Sequence, residues 1–189
     1  MNKSTIVINL FGAPNAGKST LAAGLFYELK MQGKSVEMVR EWVKNPIWEG
    51  KKITHEFDYK ILGEHTEMER VLFNKVDYII TDSPLILCAY YAMKRNPMAN
   101  FLPIVSSFIN KAKNRNISYV NFMINPDLSI PYDEEGRIHS QEESRVIQEE
   151  MEKYIKSTGE NFTSIHGEGR DRVQILLKEV LKQKPLQKD

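Results

Sequence analysis

Gly12-Ala13-Pro14-Asn15-Ala16-Gly17-Lys18-Ser19, with Thr20 next, has the residue types and the spacing to hold a chain of phosphates. It matches G-x-x-x-x-G-K-[ST] at every fixed position. Glycines let such a backbone curl so that its N–H groups point inward at phosphate oxygens. A helix starting there adds about half a positive charge at the same spot. Lys18 would reach the β- and γ-phosphates, and the Ser19 hydroxyl would ligate Mg²⁺. The expected cofactors are therefore ATP and Mg²⁺. A carboxylate is needed beside them, and Asp82, just past the apolar run Tyr78–Thr81, is placed to hold the hydration shell of the metal. Its other reading is a cap on the turn before Ser83-Pro84.

Arg40-Glu41 closes a second short apolar run, where an open α/β sheet would expose it to the ligand crevice. Glu41 is the candidate general base for an attacking hydroxyl. Arg40 would orient the acceptor, with a surface ion pair as the bland alternative. Residues 133–152 hold eight carboxylates but only two arginines, Arg137 and Arg145. Arginines spared in an acidic stretch suit a lid that closes over ATP and stabilises the transferring charge. Pairing of Arg145 with Glu142 or Glu149 within a helix is the competing reading. His65 falls on the apolar helical stripe Ile61, His65, Met68 and Leu72 and reads first as a satisfied core histidine. The alternative has Glu64 and His65 facing the acceptor, and Glu64 is the acceptor-binding candidate. Cys88 reads as core. Trp42 and Trp48 flank residues 44–55 and serve either to stack on a base or to pack that segment.

The elements that must position these residues follow from periodicity. Thr5–Phe11 is a β-branched apolar run of strand length, and 35–39, Tyr78–Thr81, Ile117–Ile124 and 161–165 read as the other strands. Between them lie amphipathic helices over 18–32, 56–74, 85–115 (broken near Pro97 and Pro103), 141 onward, and 173–181. Gly33 is the expected stop of the first helix. Ser140-Gln-Glu-Glu143 is a capping box. Residues 44–55 read as irregular. Five alternations of strand and helix predict one α/β domain over 1–189, a doubly wound parallel five-stranded sheet with helices on both faces. The lid spans about 126–145 and an acceptor-side insert about 44–75.

Composition removes other classes. Hydrophobic residues are 41% and charged residues 27%, ordinary for a globular chain. Lys plus Arg is 26 against 25 Asp plus Glu, a formal charge of +1, so no polyanionic partner is demanded. One cysteine makes no disulfide framework. No 18-residue apolar stretch exists, and the polar Met1–Ser4 runs straight into a strand, so no signal peptide or membrane partner is expected and the cytoplasm is.

Beyond the phosphate loop, the chain resembles the ribosylnicotinamide-kinase domain of bacterial NAD-metabolism regulators and its free-standing phage relatives. The resemblance runs over residues 5–182. It is carried by Arg40-Glu41-Trp42-Val43-Lys44, Asp82 at its strand end, Pro126-Asp-Leu-Ser-Ile-Pro-Tyr132, Gly136-Arg137, Arg145, and Ile165-His-Gly167 with Asp171-Arg172. It implies a P-loop kinase with an arginine-bearing lid, and adenine contact at Gly167. Thr81-Asp82-Ser83-Pro84 replaces the family's Asp-Thr-Asp, and Glu64 stands near a usual Gln. The expected function is transfer of the ATP γ-phosphate to a hydroxyl of a nucleoside- or nucleotide-type acceptor. One alternative is phosphorylation of a hydroxymethyl group on a modified pyrimidine in DNA, as in related phage kinases. The other is an ATPase or nucleotide switch with no small-molecule acceptor.

Overall fold

The computed structural model describes residues 3–127 and 140–183. The strands are β1 (Thr5–Phe11), β2 (Val36–Val39), β3 (Tyr78–Thr81), β4 (Ile117–Ile124) and β5 (Thr163–Ile165). The helices are α1 (Lys18–Met31), α2 (Lys44–Trp48), α3 (Glu56–Arg70), α4 (Leu85–Arg95), α5 (Leu102–Lys113), α6 (Gln141–Ser157) and α7 (Asp171–Leu181).

The five strands form one all-parallel sheet in the order β2-β3-β1-β4-β5. Strand β1 is buried at all seven positions, as a central strand covered on both faces must be. Ile6, Ile8 and Leu10 pack with α1 and α7, through Leu21, Leu25, Leu29, Leu176 and Val180. Val7 and Phe11 point the other way, toward apolar side chains of α3 to α6. Fully burying one such side chain is worth about 1.5–3 kcal/mol, so this two-sided pattern fixes the layer order. After β1 the chain moves to one side for β2 and β3, then crosses to the other for β4 and β5. Because all strands run the same way, the loops leaving β1, β2 and β3 share one edge, and ligands bind at such a reversal of strand order.

Local signals place most boundaries. Gly33, at φ +72°, stops α1, with its N–H donating to Lys30 and that of Lys34 to Leu29. The capping box at Ser140 and Glu143 is formed in both directions. Three expectations need correction. Residues 44–55 contain a helix, α2, because Pro46 falls in its first turn, where the missing N–H has no partner to lose. Helix α3 ends at Arg70, and 71–74 form a tighter turn that closes at Asn74, whose φ is 61°. The fifth strand begins at Thr163, since the Asn161 carbonyl accepts from Asn121 instead of joining the ladder. No helix among the described residues is long and apolar enough to cross a membrane.

Candidate active site

The loop between β1 and α1 is shaped by its glycines and held from outside by three side chains. Gly12 has φ +150°, and a Cβ there would lie 2.7 Å from the Ile124 carbonyl oxygen of β4, so only glycine fits. Asn15 and Gly17 are left-handed, at φ 64° and 90°. Gln148 accepts from the Ala13 N–H at 2.7 Å. Ser144, also on α6, donates to the Pro14 carbonyl at 2.6 Å. The buried Arg172 of α7 donates to the carbonyls of Ala16 at 2.8 Å and Asn125 at 2.5 Å. Gly17 opens α1 with no side-chain cap, and the first turn carries no acidic residue. The positive end of the helix dipole therefore meets no acidic side chain from α1 itself. Lys18 Nζ folds back onto the carbonyls of Gly12 at 2.8 Å and Ala13 at 3.0 Å.

A line of polar groups runs outward from the end of β3. Asp82 is 6% exposed, and its Oδ2 accepts from Ser19 Oγ at 2.5 Å. Its Oδ1 is buried with no hydrogen-bond partner among the described residues. Lys44 Nζ donates to Ser19 Oγ at 3.2 Å and lies 3.5 Å from Glu41 Oε2. A hydroxyl and a carboxylate in contact, with one carboxylate oxygen unused, are hard oxygen donors that suit Mg²⁺. That ion is commonly held by one or two such groups plus substrate phosphates. No cluster of three or more His, Cys, Asp or Glu side chains able to hold a metal occurs among the described residues.

Beneath this line lie titratable groups kept neutral by burial. His65 is fully buried, and burial pushes its pKa down to about 4 although the Asp82 charge opposes the shift. Its Nε2 accepts from the Trp42 backbone N–H at 3.2 Å, which steadies the turn carrying Glu41. The expected satisfied core histidine is thus half satisfied, since Nδ1 has no partner among the described residues. One turn on, burial raises Glu69 to about 8, while the Tyr119 hydroxyl donates to it at 3.1 Å. Cys88 is buried, as expected of core, with its thiol pushed up to about 12 by that burial.

Residues of the loop and of the segments beyond β2 and β3 line one cavity of about 280 Å³. One wall is Pro14, Asn15, Gly17, Lys18, Ser19 and Thr20. The other brings Glu41, Val43, Lys44, Ile47, Ile53, Leu87, Tyr91 and Arg95. Gly12, Ala13 and Ala16 are the buried backbone of the loop, and Asp82 sits behind Ser19.

Other predicted residues fall elsewhere. Arg40 is exposed and does not line the cavity, although Glu41 beside it does, because neighbouring residues at a strand end point to opposite sides. Glu64 is half-buried on α3, away from the cavity lining. Arg145 is exposed and lies 3.7 Å from Glu142. Gly167, at φ +121°, is on the loop after β5, where a Cβ would come within 3.3 Å of Arg172 and Ile175. Arg137 lies outside the described residues. Trp42 packs against the core with Lys60 over its ring, whereas Trp48 is 80% exposed.

Sequence reasoning missed Tyr91, Arg95 and the α6 anchors Ser144 and Gln148. A signal for the first two was present: Leu87, Tyr91 and Arg95 are spaced four apart and share a helix face. Asp58 of α3 holds Arg95, its Oδ1 accepting from Arg95 Nε at 2.8 Å and also from Nη2.

No protein-family model matches the chain, and no curated protein sequence matches it. Its fold is similar to that of the crystal structure of APE1195, with a TM-score of 0.57 and 20% identity over 96% of this chain and 97% of that one. At that identity the likeness concerns the arrangement of strands and helices: an α/β fold built on a five-stranded parallel sheet.

Proposed function

We propose that this chain is a P-loop kinase that moves the γ-phosphate of ATP onto a hydroxyl of a nucleoside- or nucleotide-type acceptor. One observation carries the reading. Lys18 and its loop neighbours Pro14, Asn15, Gly17 and Ser19 line the same cavity as the carboxylate-bearing Glu41. An ATPase needs only the first wall, and the apolar lining around Glu41 favours a bound organic acceptor over water.

In this reading the loop and the start of α1 take the ATP phosphates. Lys18 exchanges the Gly12 and Ala13 carbonyls for phosphate oxygens. Ser19 and Asp82 would hold Mg²⁺, which would supply positive charge against the negative charge that develops during transfer. Glu41 accepts the proton of the acceptor hydroxyl as that oxygen bonds to the γ-phosphorus. The bond from that phosphorus to the β–γ bridging oxygen breaks, and ADP leaves with the electron pair. Lys44, between Glu41 and Ser19, keeps base and metal side in register. The arginine-bearing lid, about 126–145, belongs to the same proposal with Arg137 and Arg145. Its support is that Ser144, next to Arg145, is bonded to the phosphate loop.

The test is incubation with γ-labelled ATP and a panel of nucleosides, nucleotides and oligonucleotides carrying plain and hydroxymethylated pyrimidines. Label on a panel member, lost in Lys18→Ala, supports the kinase. Release of free phosphate alone, unaffected by every acceptor, supports the ATPase reading. Label confined to the oligonucleotide arm supports the DNA kinase.

A further inference from the structure

The acceptor wall carries one cation with no role in the transfer just described. Arg95 is the last residue of α4, and its side chain is 29% exposed where it borders the cavity. A basic residue at a helix C-terminus is favourable by itself, but it needs no buried partner for that. Arg95 has one. Asp58 is 2% exposed, on a different helix, and takes the Nε and one Nη2 donor of the guanidinium on a single oxygen. Burying that carboxylate is costly, and its Oδ2 has no partner among the described residues, so the two bonds to Oδ1 are what compensate it and they hold the arginine in one orientation. A guanidinium has five N–H donors. Two are spent on Asp58, and the remaining three have no partner among the described residues.

The surroundings favour an anion. Val43, Ile47, Ile53 and Leu87 give this wall an apolar lining, in which a charged hydrogen bond is stronger than in water. Lys18, Lys44 and Arg95 line the cavity against a single lining carboxylate, Glu41. Only Lys18 is committed to the ATP phosphates in the kinase reading, and Lys44 is beside Glu41. Tyr91 lines the same cavity, and its phenol feels both the Glu41 and the Arg95 charge.

We infer that Arg95, steadied by Asp58, is an anion subsite in the acceptor half of the cavity, so that the molecule phosphorylated already carries a phosphate: a nucleotide unit rather than a bare nucleoside. This rests on the kinase reading. Planar paired donors of this kind match phosphate oxygens two at a time. The same phosphate chemistry could come from a free nucleoside monophosphate or from one nucleotide of an oligonucleotide.

The experiment has a binding arm and a transfer arm. Binding of a nucleoside, its 5′-monophosphate and a short oligonucleotide containing it is measured by calorimetry, beside ATP, for the wild type, Arg95→Lys and Arg95→Gln. Arg95→Gln/Asp58→Asn is added so that no uncompensated buried carboxylate confuses the result. The expected preference for a phosphate-bearing form over the nucleoside is about 10- to 100-fold, the range of charged hydrogen bonds. It should vanish in both Gln variants and fall in Lys, which keeps the charge without the fork, while ATP binding stays within about twofold in each. A preference kept by the Gln variants, or no preference in the wild type, overturns the subsite. Whether the preferred form is the monophosphate or the oligonucleotide tells which source of phosphate is used. Steady-state transfer to the same compounds should show the loss in acceptor KM. If nothing is labelled while Arg95-dependent phosphate binding persists, the kinase reading fails and the subsite stands.

Discussion

Ser19 Oγ and Asp82 Oδ2, separated by 63 positions in the chain, meet at 2.5 Å and join the first turn of α1 to the end of β3. Parallel pairing makes this meeting possible. Val7 and Asn9 of β1 sit opposite Ile79 and Thr81 of β3, so the residues that follow both strands emerge at one edge. Asp82 Oδ1, beside that contact, has no partner among the described residues, and this supports the metal role proposed for it.

Asp82→Asn should therefore raise the Mg²⁺ concentration needed for half-maximal turnover and lower kcat. It should leave metal-free nucleotide binding nearly unchanged. Activity across a magnesium titration checks this, and an unchanged curve would leave Asp82 as a turn cap.

Glu41→Gln should lower kcat about 10²- to 10⁴-fold, because the amide keeps the shape but takes no proton. Affinity for ATP, measured by direct titration, should stay within a few-fold, since Glu41 lies on the acceptor wall. Equal turnover of the two proteins would return Glu41 to the status of a surface partner for Lys44.

Gly12→Ala should destabilise the fold, because the new Cβ meets the Ile124 carbonyl at 2.7 Å on a backbone that disfavours side chains. Strain of this kind costs about 1–3 kcal/mol. In a chain of this size the melting temperature should fall by roughly 2–10 °C in calorimetry.

Glu69→Gln should stabilise the protein in alkaline solution. The Glu69 carboxyl is raised to about 8 by burial, so the folded state holds its proton more tightly than the unfolded chain. Stability from that proton is complete below the unfolded value near 4.5 and is lost as pH rises through about 8. Glutamine keeps an acceptor for the Tyr119 hydroxyl and has no charge to bury. The variant should exceed the wild type by about 3–4 kcal/mol at pH 8 and by little at pH 4.5, in denaturant unfolding at the two pH values.

The Gly12–Ser19 loop between strand and helix was legible because its requirements are local. Eight consecutive residues, a buried strand before them and a helix after them contain the whole pattern. The central strands were legible for a related reason: burial on both faces demands a mostly apolar run, and β1 shows it from Ile6 to Phe11 with Asn9 as its one interruption. Segment 44–55 was misread because proline was counted as a breaker, although its place in a first turn costs no hydrogen bond.

Residue types and short-range spacing thus determined that a glycine-bearing loop joins the first strand to a helix, that strands alternate with helices, and that Glu41 and Asp82 follow strand ends. Packing between distant segments decided the rest. Which face of α6 turns inward depends on where Ile147, Met151 and Ile155 find a core, and that choice sends Ser144 and Gln148 to the loop while leaving Arg145 outside. Asp58 and Arg95 are unremarkable charges on two helix surfaces until α3 lies beside α4 and buries one of them. A polar side chain at a helix end or on a helix face can serve solvent or a site equally well by its chemistry. Only the desolvation imposed by neighbouring elements, brought in from far along the chain, selects between the two.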